Sequence, residues 1–372
     1  MEGMAHFCEH VTFKGTSRRK AFQILNCLER RGGDLNAFTN KEDTVYYAAV
    51  LKDDIARAVD LLTDIVFHST YPQKEIDKEV EVICDEIESY NDSPAELIYD
   101  EFENLIFAHH PLGHNILGTQ DRVRSFTTAD ALRFTGRHYR PENAIFFLYG
   151  DVSFDRLLRL LSRATADQPA AAPLLEPDAA VTDKPSRGGI GDVIVMEKQT
   201  HQAHVMTGCR AFSARDDRRM TLYLLNNILG GPAMNARLNV SLRERHGLVY
   251  TVESYMTCYG DTGLWGIYFG CDPTDVDQCL RLIRRELDQF IDKPLTARQL
   301  AAAKTEIKGQ IGIACDNREN FALDFGKSFL HYGWERDIDS LFQSIDAITA
   351  EQLQQVAAGL MAPENLTTLI FR

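Results

Sequence analysis

The first ten residues contain three side chains whose types and spacing suit metal-assisted hydrolysis. His6 and His10 are four residues apart, so a helix would place both imidazoles on one face, one turn from each other. This is the spacing that two ligands of a tetrahedral zinc ion need. Glu9 lies three residues after His6 and projects near the same face, where its carboxylate could take a proton from an attacking water molecule. The alternative is a pair of surface histidines with a glutamate between them by chance.

A second acidic segment, residues 75–88, supplies candidates for a third ligand. As a helix, this segment would turn one apolar stripe toward the core, formed by Ile76, Val80, Ile83 and Ile87. Glu79 and Glu86 are seven residues apart and both lie at the edge of that stripe. Helical geometry therefore nominates these two carboxylates to reach a buried metal ion. A solvated acidic face, the alternative, explains the other acidic residues well and these two poorly.

The elements that would position these residues are helices beside a few short strands. Periodicity predicts helices over residues 3–11, 20–31 and 54–68. Residues 34–39 and 44–51 alternate like two strands joined by a short turn. Runs of helices beside a few antiparallel strands predict an α+β fold.

The two halves of the chain look like copies of each other. The triplet Pro-Glu-Asn at residues 141–143 recurs at residues 363–365, 222 positions later, and each triplet precedes an apolar strand-like run. A threonine-rich helix start precedes each triplet at the same shift. Gly32 matches Gly247 in a further similar segment, at a shift of 215. Three matches in the same order predict a duplicated fold, with one antiparallel sheet and its helices in each copy.

The copies divide the chain into two predicted domains. Residues 166–191 are rich in Ala, Pro and Gly and predict a linker. Residues 1–165 would form the metal-bearing domain, and residues 192–372 a homologous domain without a metal ion. At the 215 shift, the second copy replaces the three metal-site candidates of the first by Thr221, Leu224 and Leu225.

Composition excludes several classes of function. The chain of 372 residues is 44% hydrophobic and 25% charged, as in globular proteins, and its net charge of -14 argues against nucleic-acid binding. No apolar run approaches the roughly 18 residues that a membrane span needs, so we expect no membrane segment. The eight cysteines are scattered without C-x-x-C spacing, which predicts reduced thiols and a cytoplasmic location. Cys8 would point away from the metal-site candidates and pack in the core.

The segment GMAHFCEHVTFKGT resembles the signature of the insulinase/pitrilysin family of zinc peptidases, the inverzincins, which includes mitochondrial processing peptidase and similar bacterial proteases. In that family a glutamate about 76 residues after the second histidine completes the site, and Glu86 is at that distance from His10. The resemblance implies that His6, His10 and Glu86 bind Zn²⁺. It further implies that Glu9 is the general base and that Glu79 orients the site. Similarity continues through GGDLNAFTNKEDTVYY, SLRERHGLVYTVES and PENLTTLIF, over essentially the whole chain.

The segment GGDLNAFTN contains a predicted edge strand, which could take an extended peptide as an added strand. An ordinary hairpin strand is the alternative. The resemblance implies that Asn36 and Ala37 contact the substrate. It also implies that Arg243 and Tyr250 of the second domain face the zinc ion across a chamber. There the tyrosine would stabilise the oxyanion and the arginine would hold the substrate.

These observations predict a zinc endopeptidase that closes around peptides or unfolded polypeptides. We expect a peptide substrate and a homodimer or a pair of related subunits. The main alternative is a catalytically weak or inactive chamber subunit that binds peptides for a partner. A metal-storage or sensor protein is a third reading, which would need an exposed site without Glu9.

The duplication also predicts an incomplete first sheet. In the second half, the strand-like runs 193–197 and 203–209 precede the helix aligned with the first metal-binding helix. Their first-half counterparts would fall before residue 1, where family members carry further residues. We therefore expect the first domain to lack N-terminal strands. It would have about three strands, at residues 34–39, 44–51 and 144–150, against about five in the second.

Overall fold

The computed structural model describes residues 2–168, 191–333 and 337–372, so the predicted linker lies almost entirely outside the described residues. The α-helices are α1 (Met4–Thr12), α2 (Ala21–Glu29), α3 (Ile55–His68), α4 (Gln73–Asn91), α5 (Pro94–Ile106), α6 (Gln120–Arg124), α7 (Thr128–His138), α8 (Phe154–Ala164), α9 (Arg219–Gly230), α10 (Val276–Asp292), α11 (Ala297–Ala314), α12 (Arg318–Tyr332), α13 (Ile338–Ala347) and α14 (Ala350–Leu360). The strands are β1 (Asp34–Thr39), β2 (Thr44–Ala49), β3 (Val193–Met196), β4 (Ala203–Ala211), β5 (Val249–Cys258), β6 (Gly263–Cys271) and β7 (Thr367–Phe371). The predicted α+β fold class is confirmed. None of the described helices combines the length and apolar character that crossing a membrane requires.

The first compact unit contains the described residues up to Ser89, those from His114 to residue 168, and those from Asn317 to residue 333. Its sheet is the antiparallel hairpin of β1 and β2. Apolar side chains of α2 and α3 form a core cluster against one face of this hairpin. Helix α12 lies on the opposite face, where the Lys327 ammonium is 5.6 Å from the centre of the Phe38 ring. The hairpin is thus held between two helical layers.

Helix α1 is seated by two glycines in the left-handed region. Gly3, which precedes the helix, has φ 77°, and Gly118 has φ 74°. A Cβ at Gly118 would lie 2.8 Å from the Cα of Gly3, so both positions need glycine for the close approach of the two backbones. The apolar face of α1, including the fully buried Cys8, shares one core cluster with the predicted apolar stripe of α4. The predicted packing role of Cys8 is confirmed.

The predicted third strand of the first sheet, residues 144–150, is not a strand. Its side chains do alternate: Phe146 and Leu148 pack with α3 and α8, whereas Phe147 and Tyr149 contact aromatic rings of α12. Alternation reflects burial on two faces, but a strand also needs a hydrogen-bonded neighbour. No described residue of this unit forms a ladder with the segment, so the first sheet has two strands rather than three.

The second compact unit contains a five-stranded sheet in the order β3-β7-β4-β6-β5, which confirms the predicted strand count. Helices α9, α10 and α14 cover one face with the largest core cluster, and α5 covers the other face. One edge departs from the predicted antiparallel arrangement, since β3 runs parallel to β7. A short turn forces the β5–β6 hairpin to be antiparallel, whereas β3 and β7 are separated by most of the domain and have no such constraint.

The two units exchange one helix each, a feature that the predicted sequential domains did not include. Helix α5 comes from the first half of the chain and belongs to the second unit. Helix α12 comes from the second half and belongs to the first unit. The starts of these helices, Pro94 and Arg318, are 224 positions apart, close to the shift of the repeated motifs. The exchange is therefore reciprocal, as a duplicated fold would have it.

Candidate metal centre

Helices α1 and α4 of the first unit bring His6, His10 and Glu86 together. One ligand atom from each of these residues lies within 4.8 Å of the others. His6 Nε2 is 3.6 Å from Glu86 Oε1, and His10 Nε2 is 3.3 Å from Glu86 Oε2. Among the described residues, this is the one such group of three His, Cys, Asp or Glu side chains. The structure thus places the three predicted ligands side by side.

The spacing of these donor atoms fits a tetrahedral zinc ion. With zinc–ligand bonds of about 2.0–2.2 Å, tetrahedral ligands lie roughly 3.3–3.6 Å from each other. Each imidazole lies within that range of one carboxylate oxygen, His6 Nε2 of Oε1 and His10 Nε2 of Oε2. Two imidazoles and one carboxylate are also a ligand set that zinc takes in hydrolytic sites, with a fourth position left open.

The predicted orienting residue, Glu79, fixes the second imidazole. His10 Nδ1 lies 3.1 Å from Glu79 Oε1, and Lys14 Nζ lies 2.5 Å from Glu79 Oε2. Since a carboxylate only accepts, His10 Nδ1 carries the hydrogen of this bond, and Nε2 is the ring nitrogen that faces Glu86 and the ligand group. By contrast, the buried Nδ1 of His6 has no hydrogen-bond partner in the described part of the chain.

The pKa values show that this cluster favours a positive charge. Burial alone raises the pKa of Glu79, but His10 and Lys14 outweigh burial, so the net pKa is lowered. Hydrogen bonds from His10 and His6 hold the pKa of Glu86 far below its usual range. Burial lowers the pKa of His10, yet the two carboxylates overcome it and raise the pKa to about 9. The carboxylates are therefore ionised at neutral pH and stabilise a cation between the helices.

Glu9, the predicted general base, lies on α1 and is oriented from the hairpin. Its Oε2 accepts a hydrogen bond of 2.5 Å from Thr39 Oγ1, at the end of β1. Residue spacing along α1 did not indicate Thr39, because the contact joins residues thirty positions apart. The available signal was the strand alternation, which places Thr39 on the same face of β1 as Ala37.

The edge of β1 is open at the predicted substrate-contact residues. Asn40 N–H donates to Asp43 O at 2.8 Å and closes the turn of the hairpin. In an antiparallel hairpin, hydrogen-bonded and non-hydrogen-bonded residue pairs alternate. Counted from Asn40 and Asp43, the opposed residues Ala37 and Tyr46 form a non-hydrogen-bonded pair. The N–H of Ala37 therefore points away from β2, and it donates to Asn36 Oδ1 at 2.9 Å. Within the described residues β1 pairs only with β2, so the predicted edge strand is confirmed.

Arg243 and Tyr250 lie close to each other in the second unit. Arg243 belongs to a π-helical turn, Asn239–Arg245, a geometry that occurs frequently at functional sites. Its guanidinium carbon is 5.5 Å from the centre of the Tyr250 ring, and Tyr250 is 80% exposed. Their predicted contribution to the metal centre stays a prediction.

The second half keeps the helix and lacks the metal-binding side chains, as its alignment with the first half predicts. Helix α9 carries Thr221, Leu224 and Leu225 at the aligned positions, and all three are buried. The two leucines belong to the main core cluster of the second unit. In this helix the positions therefore contribute to packing.

Two parts of the chain match the profiles of known protein families. Residues 1–120 match the profile of the family described as Insulinase (Peptidase family M16). Residues 125–307 match the profile described as Peptidase M16 inactive domain. The metal centre thus lies in the part that matches the peptidase profile, and α9 lies in the part that matches the inactive-domain profile.

Whole-chain relatives and solved structures agree with these profiles. A Streptomyces coelicolor protein named an uncharacterized zinc protease is 32% identical over 363 residues, which cover 97% of this chain and 79% of that protein. A Bacillus subtilis protein, named uncharacterized zinc protease YmxG, is 31% identical over 372 residues, covering 100% of this chain and 88% of its own length. A protease structure from Helicobacter pylori superposes with a TM-score of 0.90 at 20% identity, covering 100% of this chain and 89% of that one. A Pseudomonas fluorescens structure, titled peptidase M16 inactive domain, has a TM-score of 0.88 at 19% identity, covering 100% and 88%.

Proposed function

Because this chain belongs to the insulinase family of peptidases (M16), we propose that it is a zinc-dependent endopeptidase that hydrolyses peptides or unfolded polypeptides. The observation that carries the proposal is the group formed by His6, His10 and Glu86, with Glu9 on the same helix. The relatives from Streptomyces coelicolor and Bacillus subtilis are both named uncharacterized zinc proteases, which supports zinc as the metal.

Each residue of the centre has a role that its contacts support. His6, His10 and Glu86 would hold the zinc ion. When bound, zinc supplies Lewis acidity, which polarises the peptide carbonyl and lowers the pKa of water. Glu9 would take the proton from the attacking water molecule and return it to the leaving amine. Glu79 would keep His10 in the tautomer that presents Nε2.

The open edge of β1 supports an extended polypeptide as the substrate. A peptide added antiparallel to β1 would receive a hydrogen bond from the outward N–H of Ala37, replacing the one to Asn36 Oδ1. Recognition through the backbone tolerates many side-chain sequences, which suits unfolded chains. Arg243 and Tyr250 are proposed to hold the substrate and to stabilise the oxyanion, respectively.

The second candidate is an inactive subunit that binds peptides for a partner. The inactive-domain profile over residues 125–307 favours this reading. That profile does not include α1 or the part of α4 that carries Glu86, and the metal-binding set there is complete. The orientation of Glu9 by Thr39 also speaks against a storage or sensor site, which needs no base. Assembly as a homodimer or with a related subunit stays a prediction.

Cleavage of a quenched fluorescent peptide library by the purified full chain tests the proposal. We expect cleavage that stops with the chelator 1,10-phenanthroline and returns on addition of zinc. The Thr305→Val variant, altered at an exposed threonine of α11, is the matched control and should cleave normally. Absence of cleavage by the folded, zinc-loaded protein would favour the inactive subunit.

A further inference from the structure

We infer that Thr39 is the positioning residue of the base Glu9, so that one strand both orients the base and receives the peptide. This inference rests on the proposed peptidase function. Its starting point is the 2.5 Å hydrogen bond from Thr39 Oγ1 to Glu9 Oε2, which joins β1 to α1. An ionised carboxylate can only accept, so the hydroxyl proton of Thr39 points at Glu9. Bonds to a charged acceptor are roughly twice as strong as neutral ones.

A neighbouring hydroxyl reinforces this direction. Thr44 Oγ1 lies 3.3 Å from Thr39 Oγ1 and can donate its own proton to that oxygen. The two threonines are cross-strand partners in the hairpin. Asn40 and Asp43 close the hairpin as a hydrogen-bonded pair, so the next pair, Thr39 and Thr44, has no backbone hydrogen bonds between its two residues. Side chains lie closest to each other in such non-hydrogen-bonded pairs. This arrangement allows donation from Thr44 through Thr39 to Glu9.

The backbone leaves the Thr39 hydroxyl little freedom. Threonine is branched at Cβ and restricted at χ1, and the hairpin is packed on both faces. Glu9, by contrast, has three side-chain torsions and is only half-buried. The bond holds its Oε2, whereas Oε1 has no partner among the described residues. One oxygen is therefore fixed and the other is available for proton transfer.

The same strand sets the distance between base and substrate. Thr39 and Ala37 are two residues apart on β1 and face the same side, so their Cα atoms are about 6.6–6.8 Å apart. A peptide that binds the outward N–H of Ala37 is then aligned on the strand that also holds Glu9. The register of peptide addition therefore determines which bond of the peptide meets the base.

The kinetic test compares Thr39→Val, which keeps the shape and removes the hydroxyl, with Thr39→Ser, which keeps the hydroxyl. We expect kcat of Thr39→Val to fall about 10–100-fold, with KM and zinc affinity within about twofold of wild type. Thr39→Ser should recover most of the activity, and Thr44→Val should show a smaller loss. Thr305→Val is the control for a threonine-to-valine change and should be neutral. If kcat and KM change equally in Thr39→Val, or if Thr39→Ser does not recover activity, Thr39 has only a structural role.

A second readout does not depend on catalysis. The ¹³Cδ carboxylate signal of Glu9 can be recorded in the zinc-free protein and assigned by its loss in Glu9→Gln. We expect this signal to shift in Thr39→Val and to stay near its wild-type position in Thr39→Ser. An unshifted signal in Thr39→Val would overturn the inference. Lack of cleavage by wild type would overturn the proposed function alone, since the carboxylate signal still reports on Thr39.

Discussion

Helices α1 and α9 occupy corresponding places in the two halves, but α1 carries polar candidate metal ligands where α9 carries mostly apolar side chains. The aligned side chains are two imidazoles and a carboxylate in α1, and a threonine and two leucines in α9. Both helices turn an apolar face to a core cluster, so packing does not require the polar set. The candidate metal-binding side chains of α1 are therefore not needed for packing, since the corresponding helix of the second copy is packed without them.

The polar set requires support that the second half does not need. His6 and Glu79 are buried, and a buried polar or charged group destabilises a fold unless it is paired. Lys14 and His10 meet both carboxylate oxygens of Glu79. In α9 the aligned residues Leu224 and Leu225 belong to the apolar core. The proposed function therefore depends on the partners around α1 as much as on the motif itself.

The largest effect is expected when α1 is given the side chains of α9. The triple variant His6→Thr, Glu9→Leu, His10→Leu should keep its helical circular dichroism and lose both stoichiometric zinc and cleavage, because two ligands and the base are gone. Metal analysis and the peptide assay measure these losses. Cys8→Ala, an apolar change on the same helix and outside the ligand group, is the control and should retain zinc. A triple variant that binds zinc like wild type would place the metal elsewhere.

Removing the base alone separates chemistry from metal binding. Glu9→Gln keeps the ligands and the shape, so we expect normal zinc content and a loss of kcat of about 10²–10⁴-fold. Steady-state kinetics and metal analysis on the same sample check both parts. Activity within about tenfold of wild type would show that Glu9 is not the base.

Changing the support around His10 should weaken the site without abolishing it. Lys14→Met removes the lysine that pairs with Glu79, and Glu79→Gln removes the charge that orients His10. We expect each change to lower zinc affinity about 10–100-fold, measured by competition with a chelating dye. Lys14→Arg should stay near wild type, and so should the control Lys74→Met, altered at an exposed lysine on α4. Unchanged affinity in both test variants would mean that Glu79 is not needed for ligation.

The smallest effect concerns the exchanged helix α12, which meets the hairpin turn through an ion pair. His331 Nε2 lies 2.9 Å from Asp43 Oδ2, and this hydrogen bond raises the pKa of His331 above its ordinary 6.5. Burial raises the pKa of Asp43, but His331 and Asn40 lower it overall, below 3.8. Lys327 and Glu42 are the other charges that act on His331, and they oppose each other.

The sign of the pH dependence follows from these directions. A raised histidine pKa contributes stability that is complete below 6.5 and is lost as pH rises through the folded-state pKa. The lowered pKa of Asp43 contributes stability that is present above 3.8 and is lost as pH falls through its folded-state value. We expect His331→Gln to lower the free energy of unfolding by about 1–2 kcal/mol at pH 6, with a smaller difference at pH 9. Urea denaturation at both pH values measures it, and a difference that grows with pH would contradict the assignment.

Local periodicity predicted the parts of the site that lie on single helices. The one-turn spacing of His6 and His10, and the position of Glu79 and Glu86 beside an apolar stripe, follow from the helical repeat alone. Periodicity left the choice between the two glutamates open, because both can reach inward. The family resemblance chose Glu86 as the ligand, and the positions of the atoms separate the two glutamates in the same way: Glu86 lies near both imidazoles, whereas Glu79 contacts His10 Nδ1.

Contacts between distant segments were not predictable in this way. Alternation indicated a strand at residues 144–150, but pairing depends on a neighbour that the pattern cannot report. The exchange of α5 and α12 joins segments from opposite halves, and nothing in either helix encodes its destination. Thr39 belongs to this class too, since its role arises from the approach of β1 to α1.

Zinc-edge X-ray absorption on the full chain, with metal analysis of the same sample, tests the central claim most directly. We expect one zinc ion per chain, coordinated by two imidazole nitrogens and by carboxylate oxygen. In Glu86→Gln, zinc content should fall sharply while the fold is kept. If the chain takes up no zinc, or if the atoms that coordinate zinc are the same in Glu86→Gln as in wild type, the assignment of Glu86 as a zinc ligand is contradicted.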